Sequence, residues 1–274
     1  MRARGGIAVA VAAVAAATLW AGAASAAAPL KRLTDTDGQV TATVTFRKAS
    51  FSFARNVALT VARSGTVVLS EKLLDAEGKP DASLPTGATV TDLDGDGEPE
   101  VLVDQFSGGA HCCEYTRIYR FDGTTYSSVV VDWGNYGHSL EDLDGDGVPE
   151  LRTSDDRFAY TFTAYVASVP PIRILRYQAG VLSDVTRSFP ALVRRDLRAN
   201  WKLLQRIAKQ RDDIRGVAAA WLADKYLLGE EKAGWTTLRD LRKRGLLRGF
   251  PPWPSGFAYL RELRAFLEQA GYAA

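Results

Sequence analysis

The sequence has 274 residues, 46% of them hydrophobic and 24% charged, and a formal net charge of +2. Residues 1–26 hold two of the arginines and no acid, so residues 27–274 carry 32 basic against 32 acidic side chains. That length is ample for a core and points to one large domain or two, and the neutral total argues against a nucleic-acid binder.

The first predicted element is a leader. Met1-Arg-Ala-Arg4 is a short basic region, residues 5–21 are rich in alanine and valine, and Ala24-Ser25-Ala26 is a small-x-small cleavage site. This pattern predicts a cleaved secretory signal peptide over residues 1–26 and no stable membrane insertion of the chain beyond it. Residues 40–46 alternate apolar and polar positions as a strand does. Residues 58–63 and 66–71 flank Ser64-Gly65, a two-residue hairpin turn.

Next comes Asp92-Leu-Asp-Gly-Asp-Gly-Glu-Pro-Glu100, which recurs as Asp142-Leu-Asp-Gly-Asp-Gly-Val-Pro-Glu150. After the first copy the pattern predicts a short strand over 101–103 and a hairpin from 115–121 to 125–131 around Asp122-Gly123. After the second it predicts a strand over 158–166 and a hairpin from 172–177 to 181–185 around Ala179-Gly180. From Phe189-Pro190 the apolar period becomes helical, giving helices near 190–207, 214–228, 236–247 and 257–270, with a break at 249–254. Trp201, Trp221 and Trp235 read as core anchors of this helical region. The expected organisation is a β-rich region over 27–190 and a basic α-helical region over 191–274. Their net charges are −8 and +8, which suggests that the two parts complement each other.

The doubled loop carries the chemistry. Oxygen ligands at alternate positions with glycines between them suit Ca2+, a hard cation that takes six to eight oxygens at about 2.3–2.6 Å. In the first loop Asp92, Asp94 and Asp96 would offer carboxylates, Glu98 its carbonyl, and Glu100 would close the site. In the second loop Asp142, Asp144 and Asp146, the carbonyl of Val148, and Glu150 take the same places. Gly97 and Gly147 permit the sharp turn, and two ions would halve the acidic excess of the β region. An EF-hand is excluded: its twelfth position, which needs a bidentate acid, holds Val103 and Thr153, and Pro99 and Pro149 lack the N–H it needs.

On residues 92–100 and 142–150 and the hairpins after them, the chain resembles the FG-GAP and VCBS repeats of secreted bacterial and integrin-type proteins. The resemblance covers roughly residues 90–190 and implies antiparallel sheets like a partial set of propeller blades. A closed propeller typically needs about four to eight blades. The expected fold is therefore mainly β, a stack or partial arc of small sheets with residues 40–71 as a third unit, followed by the helical region.

Cys112 and Cys113 are the two cysteines, adjacent in a chain expected to be exported. Oxidising compartments favour a disulfide over free thiols, here a vicinal one; a bond to another chain and a soft-metal site with His111 and His138 are the other arrangements. No Gly-x-Ser-x-Gly elbow accompanies these histidines. The expectation is thus an exported calcium-binding interaction module whose partner is an extracellular protein or wall polymer. The rival is a calcium-dependent extracellular hydrolase with His111 or His138 as base. A third reading is a redox sensor built on the cysteine pair. The arginine clusters 194–198 and 242–248 read as a solvated basic face rather than a nucleic-acid surface.

Overall fold

The computed structural model describes residues 28–80, 83–109 and 112–273; the expected signal peptide lies outside the described residues. Among these residues twelve strands make three antiparallel four-stranded sheets. Sheet 1 is β1 (Leu30–Asp37), β2 (Val40–Lys48), β3 (Ala54–Arg63) and β4 (Thr66–Lys72). Sheet 2 is β5 (Leu84–Thr91), β6 (Glu100–Gly109), β7 (Cys112–Phe121) and β8 (Tyr126–Gly134). Sheet 3 is β9 (Ser139–Glu141), β10 (Glu150–Ser154), β11 (Ile172–Gln178) and β12 (Val181–Asp184). Four helices follow: α1 (Pro190–Gln210), α2 (Arg215–Leu227), α3 (Glu231–Lys243) and α4 (Gly256–Gln269). Each sheet is a simple meander, and the described residues show neither a closed barrel nor a propeller.

Side-chain alternation explains how the layers stack. In β6, Val101 and Val103 join the core shared with Val40, Val44 and Leu59 of sheet 1. Leu102 between them points the other way, with Ile118, into a second core with Leu151, Leu175 and Tyr177 of sheet 3. Sheet 2 is therefore buried on both faces, which is why its central strand reads as a continuous apolar run rather than an alternation. Sheet 3 repeats the device: Leu175 and Tyr177 face sheet 2, while Ile172 and Ile174 meet Phe189 and Val193 at the start of α1.

One predicted strand is absent. Residues 158–166 form turns flanked by two short 3-10 segments, with Tyr160 at φ +60°. Phe158 and Phe162 sit four residues apart and both drop into the helical core, edge-on to Phe266 at centroid distances of 4.9 and 5.3 Å. Packing against helices, not pairing with a strand, decides this segment. Phe162→Ala should cost about 3–5 kcal/mol, read by denaturant unfolding.

Charge complementarity is not what joins the two regions. Among the described residues no ion pair links an acid of 27–190 to a base of 191–274. Apolar packing and hydrogen bonds make the joint instead: Tyr272 Oη donates to Asp155 (2.8 Å), and Arg187 donates to the carbonyl oxygens of Tyr226 and Tyr272. A buried carboxyl pair adds to it. Asp196 of α1 accepts the backbone N–H of Ile172 at 3.0 Å, and the fully buried Asp224 of α2 accepts Asn200 Nδ2–H at 2.9 Å.

Burial, then the charge of Asp196, pushes the Asp224 carboxyl well above the usual aspartate range, and burial raises Asp196 as well. The folded pair therefore keeps a proton that the unfolded chain has already released. Stability contributed in this way is present at low pH and falls as pH rises through the window between the unfolded and folded pKa values. Asp224→Asn retains the bond from Asn200 and supplies a permanent donor to Asp196. The variant's melting temperature should fall less than the wild type's on the alkaline side of the ordinary aspartate range. Parallel melting-temperature profiles would refute the shared proton.

Candidate metal centre

Each acidic loop joins the first strand of its sheet to the second, and the two are wired alike. Asp92 accepts the N–H of Gly95 on Oδ1 (2.7 Å) and of Gly97 on Oδ2 (2.9 Å); Asp142 does the same for Gly145 and Gly147 at 2.7 and 3.1 Å. Asp96 and Asp146 fix the N–H groups of Glu98 and Val148 at 2.8 and 2.9 Å. Glu100 and Glu150 reach back to the N–H of Leu93 and Leu143, both at 3.0 Å. The acids thus fold their own loops. The loops also abut: a Cβ on Gly95, whose φ is +75°, would stand 2.9 Å from Val148 Cγ2.

The carboxylates that converge differ between the loops. Oxygens of Asp92, Asp94 and Glu100 come within 4.8 Å of one another in the first, and those of Asp142, Asp144 and Asp146 in the second. In the first loop Asp94 Oδ1 and Glu100 Oε1 are buried without a hydrogen-bond partner, and Glu100 is 1% exposed. Desolvation, reinforced by the charges of Asp94, Asp96 and Asp92, pushes Glu100 up to about 7. Buried carboxylate oxygens without donors are costly, and a small all-oxygen cluster of this kind fits a hard cation.

Sequence reasoning missed an arginine in each loop. Val101 pairs with Tyr119 and Leu151 with Leu175, so one register step further Glu100 faces Arg120 and Glu150 faces Arg176. Arg120 donates to Asp96 at 3.0 Å but stays 3.9 Å from Glu100 Oε1 and 3.8 Å from Asp94 Oδ2. Arg176 closes on its loop, bonding Glu150 and, at 2.7 Å, Asp144. That bond holds the Asp144 carboxyl below the usual range. Glu150, expected as the closing ligand, is thus drawn to Arg176 and stands apart from the Asp142–Asp144–Asp146 group. The signal was available only through hairpin register, a cross-strand pairing of opposite charges.

The first loop is also a structural junction. Glu98 pairs with Arg63 of sheet 1, Asp96 with Arg120 of sheet 2, and Asp94 Oδ2 accepts the N–H of Ala179 in the β11–β12 turn at 2.8 Å.

The histidine and cysteine expectations fall partly beyond view. His111 and the side chain of Cys112 lie outside the described residues; no free cysteine is found among the described ones. His138 is largely buried, stacked on Trp133 at 4.7 Å, with Thr116 Oγ1 3.4 Å from Nδ1. Burial lowers its pKa. Thr116 is itself fully buried, donates to Asp104 and accepts from Trp133 Nε1, so it offers no accessible nucleophile.

Comparison with known proteins fixes the lineage. The chain is 31% identical over 254 residues to the probable thylakoid lumen protein sll0997 of Synechocystis sp., an alignment spanning 86% of this chain and 74% of the relative. The chain belongs to the sll0997 family. A family model described as the sll0997 C-terminal domain matches residues 193–271, from α1 through α4. An uncharacterized protein, y4bJ of Sinorhizobium fredii, is 31% identical over 192 residues, 68% of this chain and 30% of that protein. No solved structure matches the chain. Kinship with the FG-GAP and VCBS repeats is therefore corrected to sll0997. An alternating Asp-Gly loop is a short local solution to folding carboxylates together, and by itself it does not report descent.

Proposed function

We propose that this sll0997-family protein is a calcium-binding module of a translocated compartment, acting by binding rather than by catalysis. The observation that carries the proposal is the pair of buried, unpartnered oxygens, Asp94 Oδ1 and Glu100 Oε1, in the loop that touches all three sheets. A calcium ion there would take Asp92, Asp94 and Glu100 as carboxylate ligands and lock the sheets against one another. The second loop is the weaker site, because an ion must first displace Arg176 from Glu150 and Asp144. Support for the compartment comes from the leader-like residues 1–26 and from the relative's designation as a probable thylakoid lumen protein. Secretion to the exterior is the simplest destination for such a leader in a cell without thylakoids, where an extracellular protein or wall polymer would be the partner.

Titration of chelator-stripped protein should show calcium binding with a dissociation constant of about 10⁻⁵–10⁻³ M. At 100 times that concentration one ion should add roughly 2.7 kcal/mol of stability. Asp94→Asn should abolish the first binding event, and Arg176→Gln should strengthen the second. Absence of binding heat together with an unchanged melting temperature would overturn the proposal.

Cys112 and Cys113 are proposed to be joined in the exported protein. Its intact mass should fall short of the dithiol form by the pair of hydrogens lost on oxidation, with no thiol labelling before reduction. Stoichiometric labelling of unreduced protein would reject the bond.

A further inference from the structure

The basic charge of the helical region is gathered rather than spread. At the C-terminal end of α1, Lys209 and Arg211 face Arg244 and Arg248, which follow α3, across an open cavity of about 560 Å³ that holds one acid, Asp212. None of these four cations has an ion-pair partner among the described residues. The acidic β region does not reach them, so their charge is available to something outside the molecule.

Two large exposed aromatic side chains follow the basic cavity closely along the chain, and the start of α4 is tied to it by the Gly256 N–H, which donates to the Leu247 carbonyl at 2.9 Å. Phe250, two residues after Arg248, is 77% exposed, and Phe257, at the start of α4, is 72% exposed. Arg242 lies over the Phe257 ring at 3.6 Å. The segment that presents Phe250 is held firmly. The buried Arg215 donates to the carbonyl oxygens of Trp253 and Pro254 at 3.1 and 2.6 Å, and Trp253 Nε1 donates to Tyr160 O at 2.7 Å. A Cβ on Gly249 would lie 1.8 Å from the Arg215 guanidinium, so only glycine passes there. A loop fixed at both ends that still turns its phenylalanine outward is a surface shaped for an apolar neighbour.

Exposed aromatic rings close to a cluster of arginine and lysine match the boundary of an anionic bilayer, where rings enter the acyl border and cations meet headgroups. No helix among the described residues is long and apolar enough to cross a membrane, so the contact would be peripheral. We propose that this face of the helical region, Phe250 and Phe257 with Lys209, Arg211, Arg244 and Arg248, docks the protein on a membrane surface rich in anionic lipid. The headgroup would sit in the cavity between the four cations and the two rings would enter the interface. This site is independent of the calcium loops.

Vesicle co-sedimentation of the purified exported protein tests it. Vesicles of phosphatidylcholine with about 30 mol% phosphatidylglycerol should bind the protein, and pure phosphatidylcholine vesicles should not. Arg244→Glu with Arg248→Glu should lower partitioning at least about tenfold, and Phe250→Ser with Phe257→Ser should lower it severalfold at unchanged melting temperature. Lys31→Glu with Lys72→Glu, the same charge change on exposed positions of β1 and β4, should leave it unaltered. Equal loss with that control pair would show bulk electrostatics and overturn the site. Retention by the phenylalanine pair, with binding abolished by millimolar inorganic phosphate, would overturn it in favour of a soluble anion.

Discussion

One acidic loop is the point at which the three sheets are tied together. Loop 92–100 packs the carboxylates of Asp92, Asp94 and Glu100 against one another, and Asp94 and Glu100 each keep a buried oxygen with no hydrogen-bond partner among the described residues. The same loop supplies the polar ties between layers: Glu98 to Arg63, Asp96 to Arg120, Asp94 to the Ala179 N–H. A change of charge inside the loop therefore acts where all three sheets meet. The second loop shows the alternative resolution, an arginine drawn in from the neighbouring strand.

Arginine and calcium are not equivalent answers to this problem. A guanidinium presents a planar fork of donors and satisfies two or three oxygens along one side, whereas Ca2+ accepts ligands from every direction. Arg176 lies along the exposed rim of its loop and can close it. Arg120 comes from the homologous register position yet stops 3.9 Å from the buried Glu100 Oε1 and 3.8 Å from Asp94 Oδ2. The same backbone turn and the same cross-strand partner thus leave one loop filled and the other open; Glu100 and Glu150 are equally buried, and the difference in depth lies at Asp94, whose side chain is 4% exposed against 39% for Asp144.

Local signals in the sequence were faithful where the structure is local. Ser64-Gly65 and Ala179-Gly180 form tight turns with both residues at positive φ, and the hairpins they close were legible. β1 and β5 were not. β1 is an edge strand with mostly exposed, charged positions, so it lacks the alternation that betrays a buried face. β5 carries Pro85 and Gly87, which argue against a central strand, but it lies at the edge of sheet 2 with its register shift at those residues, where both are tolerated. The segment 158–166 failed differently, since its aromatic residues answer to helices that come later in the chain. The candidate ligands were legible as a set, but their division between an open and a closed loop was not, because it depends on cross-strand arginines 20 and 26 residues downstream of Glu100 and Glu150.

Net charge misled in an instructive way. Opposite totals of −8 and +8 suggested two halves drawn together, yet the joint is built from phenylalanine and tyrosine packing and from hydrogen bonds of Tyr272 to Asp155 and of the Ile172 N–H to Asp196. Coulomb attraction between exposed groups is weak and screened within about 10 Å, too little to position layers, while packed aromatic side chains fix both distance and angle. Because the interface does not consume the charges, the acid of the loops and the base of the helices remain as separate groups. Acid concentrated at the loops suits a cation, and base concentrated around Phe250 and Phe257 suits an anionic surface. A fold joined by apolar contact leaves both charged groups uncommitted to the joint.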